Sequence, residues 1–227
     1  MKIGVVIPTR GDRPLFLKNF FRLIKNQTLQ PTEIYLVDES PSSYECDITK
    51  RYRLGYDYFR NKGMDVLLFM EDDDWYSPLY IETMIQNWTM AGEPELFGTN
   101  YTIYYNIRLF KFFTMRHTRR SAAMSTLILP DMDFDWPKDS EPYTDSHLWF
   151  LSKHLKTGKK LDGKVFRPDL DICVGIKHGI GKTGGENHTT FLNRYSGNGA
   201  TNDSDKIWLK KTVDLESFEF YSTYFNK

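Results

Sequence analysis

The chain has 227 residues with 30 lysines and arginines and 30 aspartates and glutamates, so its formal net charge is zero and gives no argument for a nucleic-acid partner. Its two cysteines, Cys46 and Cys173, form neither a disulfide framework nor a zinc-binding pattern. The N-terminal apolar run is too short for a signal peptide, and no segment has the roughly 18 apolar residues of a membrane span, so we expect a soluble cytoplasmic protein, with peripheral attachment to a membrane left open.

The first half of the chain alternates between apolar runs and amphipathic segments. Apolar runs predict strands at 3–7, 34–37 and 66–70, and the spacing of apolar residues predicts helices at 15–24, about 44–61 and 77–90. Strands that alternate with helices form a parallel sheet with right-handed crossovers. Ligands of such sheets bind beyond the carboxyl ends of the strands. We therefore expect a cleft at Pro8-Thr9-Arg10, Asp38-Glu39-Ser40 and the residues that follow Met70.

The second half breaks this alternation. The sequence predicts strands at 96–106, 109–115 and 125–129, a helix at 142–155, a late edge strand at 171–177, a mobile glycine-rich loop at about 179–199 and an aromatic tail at 201–227 that packs back onto the body. With no internal repeat and no linker, residues 1–227 are expected to form a single α/β domain. Its sheet is expected to be mixed, mostly parallel in the N-terminal half and antiparallel in the C-terminal part.

Four consecutive carboxylates, Glu71, Asp72, Asp73 and Asp74, follow the apolar run 66–70. Clustered acids raise one another's pKa unless a cation neutralises them. Hard oxygen ligands suit Mg²⁺ or Mn²⁺, which in proteins usually also bind substrate phosphates. The alternative is a solvated acidic turn before the helix near Pro78, because acids favour helix N-termini. A cap needs one or two acids rather than four, so the metal site is the preferred interpretation.

Several segments occur in an order that is typical of one enzyme family. They are Val5-Val6-Ile7-Pro8-Thr9-Arg10, Gln27-Thr28 with Glu33-Ile34-Tyr35-Leu36-Val37-Asp38-Glu39-Ser40, Phe69-Met70-Glu71-Asp72-Asp73-Asp74-Trp75 with Pro78, Tyr143-Thr144-Asp145-Ser146-His147-Leu148-Trp149, and Arg167-Pro168 with 174–179. Together they resemble the nucleotide-sugar-dependent glycosyltransferases of the GT-A (Rossmann-like) fold, and within them family 2. The resemblance covers roughly residues 1–180, and the acidic run corresponds to the DxD region of the family.

The resemblance implies an inverting transferase of the hexosyltransferase type that uses Mn²⁺ or Mg²⁺. Such an enzyme moves a sugar from a nucleoside diphosphate sugar, with a UDP-sugar as the expected donor, to a hydroxyl of a glycan, lipid-linked or protein-linked acceptor. Residues 1–105 would bind the nucleotide sugar, and residues 106–200 would bind the acceptor and carry the catalytic base. By resemblance, Asp73 is the first choice for direct metal contact, and Glu71 would support the metal beside it. His178 would be a third metal ligand or would donate a hydrogen bond to a phosphate. His188 is the alternative to His178.

The resemblance also assigns the nucleotide pocket and the catalytic base. The nucleotide-binding candidates are Pro8, Thr9, Arg10, Asp38, Asp72 and Arg53. Asp38 would accept a hydrogen bond from the nucleobase, and Asp72 would lie near the ribose or the waters of the metal. Arg53 (or Arg51), Arg10 or Arg13 would pair with a phosphate. Asp145 is the candidate general base, with Glu141 as the fallback. Two simpler interpretations stay open, since Asp38 lies in a turn sequence and Asp145 in the first turn of a predicted helix.

This chain departs from the family pattern at two positions and leaves other functions open. Glu71 stands where the family often has Asp, and Thr144 where it usually has Glu. The run from Gly179 to Gly185 lacks the first glycine of a P-loop, because Ile176 occupies that position, so we interpret it as a lid in which Lys182 reaches the diphosphate. A retaining transferase, a nucleotidyltransferase and a catalytically silent sugar-nucleotide-binding module are the alternatives.

Overall fold

A computed structural model describes residues 1–39, 46–179 and 199–225 and confirms the α/β class. Its helices, numbered in chain order, are α1 (Pro14–Lys25), α2 (Ile48–Phe59), α3 (Tyr80–Met90), α4 (Thr144–Phe150), α5 (Ile207–Thr212) and α6 (Leu215–Ser222). Its strands are β1 (Ile3–Pro8), β2 (Glu33–Val37), β3 (Val66–Phe69), β4 (Trp75–Tyr76), β5 (Leu96–Thr99), β6 (Tyr101–Asn106), β7 (Lys111–Arg116), β8 (Thr126–Ile128), β9 (Gly163–Phe166), β10 (Cys173–Lys177) and β11 (Thr201–Asn202).

The larger sheet has six strands in the order β2-β1-β3-β8-β5-β9. β1 pairs in parallel with β2 and β3, whereas β8 runs antiparallel to β3 and β5. Every residue of β1 and β3 is buried, as the continuous apolar runs predict for strands covered on both faces. Because β1 and β3 are parallel neighbours, residues 9–13 and 71–74 emerge at the same edge of the sheet.

The smaller sheet has five strands in the order β11-β7-β6-β10-β4, so the expected mixture of parallel and antiparallel strands is distributed over two sheets. β10 was expected at an edge, but it is buried along its length between β6 and β4. The predicted strand at 96–106 is two strands, since the chain leaves the larger sheet after Thr99 and joins the smaller one at Tyr101. At this crossing the Asn100 amide donates to the carbonyl of Phe166.

Three further elements differ from the prediction. Helix α4 covers only Thr144–Phe150, because its chain turns where the amides of Leu151 and Ser152 donate to the carbonyl of His147. Leu155, which the apolar spacing placed in this helix, is exposed. The short strands β4 and β9 were not predicted, since neither has a long apolar run.

The C-terminal tail packs onto the body as predicted. Leu209, Val213, Tyr221 and Tyr224 share a buried cluster with residues of α1, β6 and β10. The ring of Phe16 in α1 lies 5.0 Å from the ring of Tyr224, so the tail packs against the helix that follows β1. None of the helices described is both long and apolar enough to cross a membrane. The predicted loop falls mostly on 180–198, which lies outside the described residues, as do Lys182 and His188.

Helix α2 lies directly on β1 because Gly55 has no side chain. A Cβ at Gly55 would lie 2.1 Å from Cγ1 of Val6, which is fully buried. Overpacking a core costs about 1–3 kcal/mol, more than the roughly 0.5–1 kcal/mol that alanine gains over glycine in a helix.

We therefore expect Gly55→Ala to lower the free energy of unfolding by about 1–2 kcal/mol in urea denaturation. Gly199→Ala is the matched control, because its Cβ would meet no described atom within 4 Å. Equal stability of the two variants would contradict this packing.

Candidate active site

A cavity of about 1120 Å³ opens at the carboxyl ends of β1 and β3. Its walls bring together residues that are far apart in sequence, and most of the predicted site residues are among them. They are Pro8, Thr9, Arg10, Arg13, Asp47, Arg51, Tyr52, Glu71, Asp72, Asp73, Tyr104, Arg120, Asp145 and Lys177, with apolar contributions from Met115, Ala122, Ala123 and Met124. The cavity is large enough for a nucleotide sugar, since ligand pockets are typically about 300–1,000 Å³.

Arg13 joins two acids of the predicted metal cluster. Its guanidinium donates from Nη2 to Oδ1 of Asp72 at 2.8 Å and from Nη1 to Oδ2 of Asp73. Asp72 also accepts from the hydroxyl of Thr9 at 2.6 Å, which ties the end of β1 to the end of β3. All three charged groups are buried, so the sequence pattern placed the acids correctly at the strand end but missed their partner.

The two carboxyl groups that contact Arg13 have opposite pKa shifts. Burial, together with the charge of Asp73, raises the pKa of Asp72 to about 7, although Arg13 opposes the shift. Burial also disfavours the ionised form of Asp73, but Arg13 and the hydrogen bond from His178 outweigh it and lower its pKa. The lowered pKa keeps Asp73 ionised at neutral pH, which suits a direct metal ligand.

Glu71, Asp73 and Asp74 each present one carboxylate oxygen, and these three oxygens lie within 4.8 Å of one another. Oδ1 of Asp74 accepts from the amide of Ile176 at 2.8 Å, whereas Oδ2 is buried without a hydrogen-bond partner among the described residues. Burial raises the pKa of Glu71 and of Asp74, and Lys177 opposes both shifts. Three carboxylate oxygens this close together, from residues that include a buried carboxylate with an unpartnered oxygen, fit a hard divalent cation.

The net charge of the acid cluster also fits a divalent cation. Glu71, Asp72, Asp73 and Asp74 lie near two basic side chains, Arg13 and Lys177. If all four acids ionise, two negative charges remain, which is the charge that one Mg²⁺ or Mn²⁺ would neutralise.

His178 lies behind the acids rather than on the cavity wall. It is 1% exposed, its Nε2 lies 3.0 Å from Oδ2 of Asp73, and its ring lies 4.1 Å from that of Phe16. Burial lowers the pKa of His178, although Asp73 opposes the shift. A neutral imidazole can bind a metal, so the position is compatible with the predicted ligand role, but its present neighbour is the Asp73 carboxylate.

Asp145 lies in the first turn of α4 and lines the same cavity as the acids. Its carboxylate accepts from Nη1 of Arg120, a residue between β7 and β8 that sequence reasoning missed. Burial raises the pKa of Asp145, and Arg120 opposes the shift. Glu141, the fallback base, accepts from the amide of Tyr143 at 3.1 Å, and its neighbours Ser140 and Pro142 line the wall in its place.

A buried network of Arg51, Arg10 and Asp47 fixes the ends of β1 and β2. Arg51 donates to the carbonyls of Thr9, Val37 and Glu39 and to Asp47 at 3.0 Å. Arg10 donates to the other oxygen of Asp47 at 2.6 Å. The predicted nucleotide-pocket residue Arg10 thus has a defined position, and Arg51 is a second residue that the prediction did not single out.

Two predicted nucleotide-binding residues lie elsewhere. Arg53 points away from the cavity and pairs with Asp139 through two hydrogen bonds of 2.9 Å and with Asp57, because it is on the opposite side of α2 from Arg51. Asp38 follows β2 at an exposed position and is not part of the cavity wall.

Comparison with known proteins returns matches among solved structures. No protein-family model and no curated protein matches the chain. Structures of TarS from S. aureus are similar to it. TarS 1-349 in complex with UDP-GlcNAc has a TM-score of 0.49 at 10% identity, covering 99% of this chain and 79% of that chain. TarS 1-349 in complex with UDP has a TM-score of 0.45 at 12% identity, covering 96% and 77%.

A further TarS structure has a TM-score of 0.45 at 11% identity and covers 97% of this chain. The present chain spans only 47% of the length of that TarS chain. With TM-scores below 0.5 and identities of 12% or less, these similarities do not assign an activity to the chain.

Proposed function

We propose that the chain is a metal-dependent glycosyltransferase that moves a sugar from a nucleoside diphosphate sugar to an acceptor hydroxyl. The main support is one cavity of nucleotide-sugar size that is lined both by Glu71, Asp72 and Asp73 and by Asp145. The ordered motifs of the sequence support the same reaction class, and a UDP-sugar is the expected donor.

The donor half of the cavity is the end of β1 and the acids after β3. Glu71, Asp73 and Asp74 would hold Mn²⁺ or Mg²⁺, with His178 supporting Asp73 from behind. When bound, such a metal neutralises the charge that develops on the leaving diphosphate. Thr9 and Arg10 line the same end of the cavity, where Arg51 holds the Thr9 carbonyl and thereby orients the pocket for the nucleoside.

The acceptor half of the cavity contains the proposed base. Asp145 would take the proton from the acceptor hydroxyl, which is the role a carboxylate has in an inverting transfer. A raised pKa makes its carboxylate a stronger base than that of an exposed aspartate. Arg120 contacts this carboxylate and would hold its orientation. Tyr104, Met115 and Met124 provide an aromatic and apolar wall against which an acceptor can pack.

The acid limb of the pH–rate profile is expected to report Asp145 and to respond to Arg120. In the wild type, transfer should fall as the pH drops through a pKa above the ordinary aspartate range, because the base becomes protonated. Arg120→Met removes the cation that favours the ionised form, so the pKa of Asp145 rises further and the limb should move to higher pH. Measurement of kcat/KM against pH checks this shift.

Arg119→Met is the matched control, since it removes the same charge from an exposed neighbouring side chain. An acid limb that stays at the wild-type pH in Arg120→Met would argue against Asp145 as the titrating base.

Crystals soaked with UDP and Mn²⁺ would test the donor site directly. The proposal predicts a metal peak bounded by Glu71, Asp73 and Asp74, with diphosphate oxygens beside it and the nucleoside near Thr9 and Arg10. A nucleotide bound outside this cavity, or a metal bound without any of these acids, would refute the assignment.

A further inference from the structure

Arg13 is unusual in this site because a cation of the chain itself already contacts Asp73, one of the acids that the metal would use. The residue precedes helix α1 and is 8% exposed. One guanidinium contacts Oδ1 of Asp72 and Oδ2 of Asp73, and its Nη1 lies 3.5 Å from Nε2 of His178. The oxygen of Asp73 that meets Arg13 therefore also meets His178.

The charge on Arg13 is permanent. An arginine stays protonated in proteins, and although burial favours loss of its proton, the charges of Asp73 and Asp72 outweigh this and raise its pKa. A divalent cation held by Glu71, Asp73 and Asp74 would share Asp73 with this guanidinium. Two cations that share one carboxylate repel each other in a poorly solvated site, so each weakens the binding of the other.

Arg13 also supplies positive charge to the acid cluster, as a metal would. It neutralises Asp72 and Asp73 at the position where four consecutive acids would otherwise repel one another. Oδ2 of Asp74 is buried without a hydrogen-bond partner among the described residues, so Arg13 leaves one carboxylate oxygen of the cluster open to a further cation.

We propose that Arg13 is the resident cation of this site and sets its affinity for free divalent metal. It keeps the acid cluster neutralised without metal and makes Mn²⁺ or Mg²⁺ bind weakly alone. A nucleoside diphosphate adds negative charge and phosphate oxygens, so the metal is taken up together with the nucleotide, and by linkage each increases the affinity for the other. This inference rests on the proposed metal and nucleotide site.

Titration of the nucleotide-free protein with Mn²⁺ in a calorimeter tests the proposal, with wild type and Arg13→Met compared at pH 8. Arg13→Met should bind Mn²⁺ at least tenfold more tightly than wild type, because the competing charge is gone. Arg119→Met, which removes an exposed arginine outside the cluster, should bind as wild type does. Equal or weaker binding of Mn²⁺ by Arg13→Met would overturn the proposal.

Because Arg13→Met leaves two buried carboxylates without their cation, thermal unfolding is followed over the same range of Mn²⁺ concentrations. The proposal predicts a lowered Tm without metal and a larger rise in Tm with Mn²⁺ than in wild type. A variant that stays unfolded at saturating Mn²⁺ would also overturn it. The proposed function itself would be refuted if the wild type showed no Mn²⁺-dependent binding of UDP. If that binding is intact, an unchanged Mn²⁺ affinity in Arg13→Met refutes the role of Arg13 and leaves the proposed function standing.

Discussion

Asp73→Asn is expected to lose the metal-dependent part of UDP binding. Asp73 is the acid of the cluster whose pKa is lowered, so it is the one that presents a full charge to a cation at neutral pH. Even groups that only orient metal ligands cost about 10–100-fold in affinity when they are removed, so we expect a loss of about 100-fold or more for UDP in the presence of Mn²⁺. Calorimetric titration with UDP, with and without Mn²⁺, measures this loss.

The control for this variant is Asp12→Asn. Asp12 is an exposed acid 3.7 Å from Nε of Arg13, so the substitution removes the same charge near the same arginine without changing the cluster. Asp12→Asn should retain Mn²⁺-dependent binding of UDP. If Asp73→Asn binds UDP and Mn²⁺ as wild type does, the wrong acid has been assigned to the metal.

Asp145→Asn is expected to abolish transfer while the donor still binds. An amide keeps the shape of the side chain but cannot accept the proton of the acceptor hydroxyl, and loss of a general base costs about 10²–10⁴-fold in rate. We therefore expect kcat to fall by that factor while the Kd of UDP with Mn²⁺ stays at the wild-type value. The two measurements together separate a role in the chemical step from a role in donor binding.

Glu141→Gln is the matched control for Asp145→Asn. Glu141 lies three residues before α4 and Asp145 in its first turn, but only Asp145 contributes to the cavity wall. Full activity in Asp145→Asn together with its loss in Glu141→Gln would transfer the role of base to Glu141.

The residues that sequence reasoning placed well are those fixed by local pattern. The apolar runs of β1 and β3 identify buried parallel strands, and parallel neighbours necessarily bring Thr9 and Asp72 to one edge. The edge position predicted for β10 was wrong, because local pattern identifies a strand but a short apolar run does not show how many neighbours that strand has. Its position between β6 and β4 depends on pairing with distant segments.

The choice of Arg53 over Arg51 could have been improved from the sequence. Tyr52, Gly55, Tyr56 and Phe59 of α2 form a buried face with helical spacing, and Arg51 shares that face. Arg53 follows Arg51 by two positions, which places it on the opposite side of the helix, and it pairs with Asp139 at the surface. A charged residue on an otherwise apolar helix face is the signal that would have identified Arg51.

Arg13 and Arg120 could not have been assigned to their partners from the sequence. Arg13 meets acids 59 and 60 positions away, and Arg120 meets Asp145 across 25 positions, so each pair depends on the tertiary fold. Local pattern locates the acids because they follow a strand. It does not specify which cation neutralises them.

The central claim is that the acids after β3 bind a nucleoside diphosphate through a divalent cation. Its most direct test is calorimetric titration of the wild-type protein with UDP, in the presence of Mn²⁺ and in the presence of a chelator. The proposed site predicts saturable binding of one UDP per chain with Mn²⁺ and a large loss of affinity without it. Absence of UDP binding in both conditions, or equal affinity in the two, would contradict the claim.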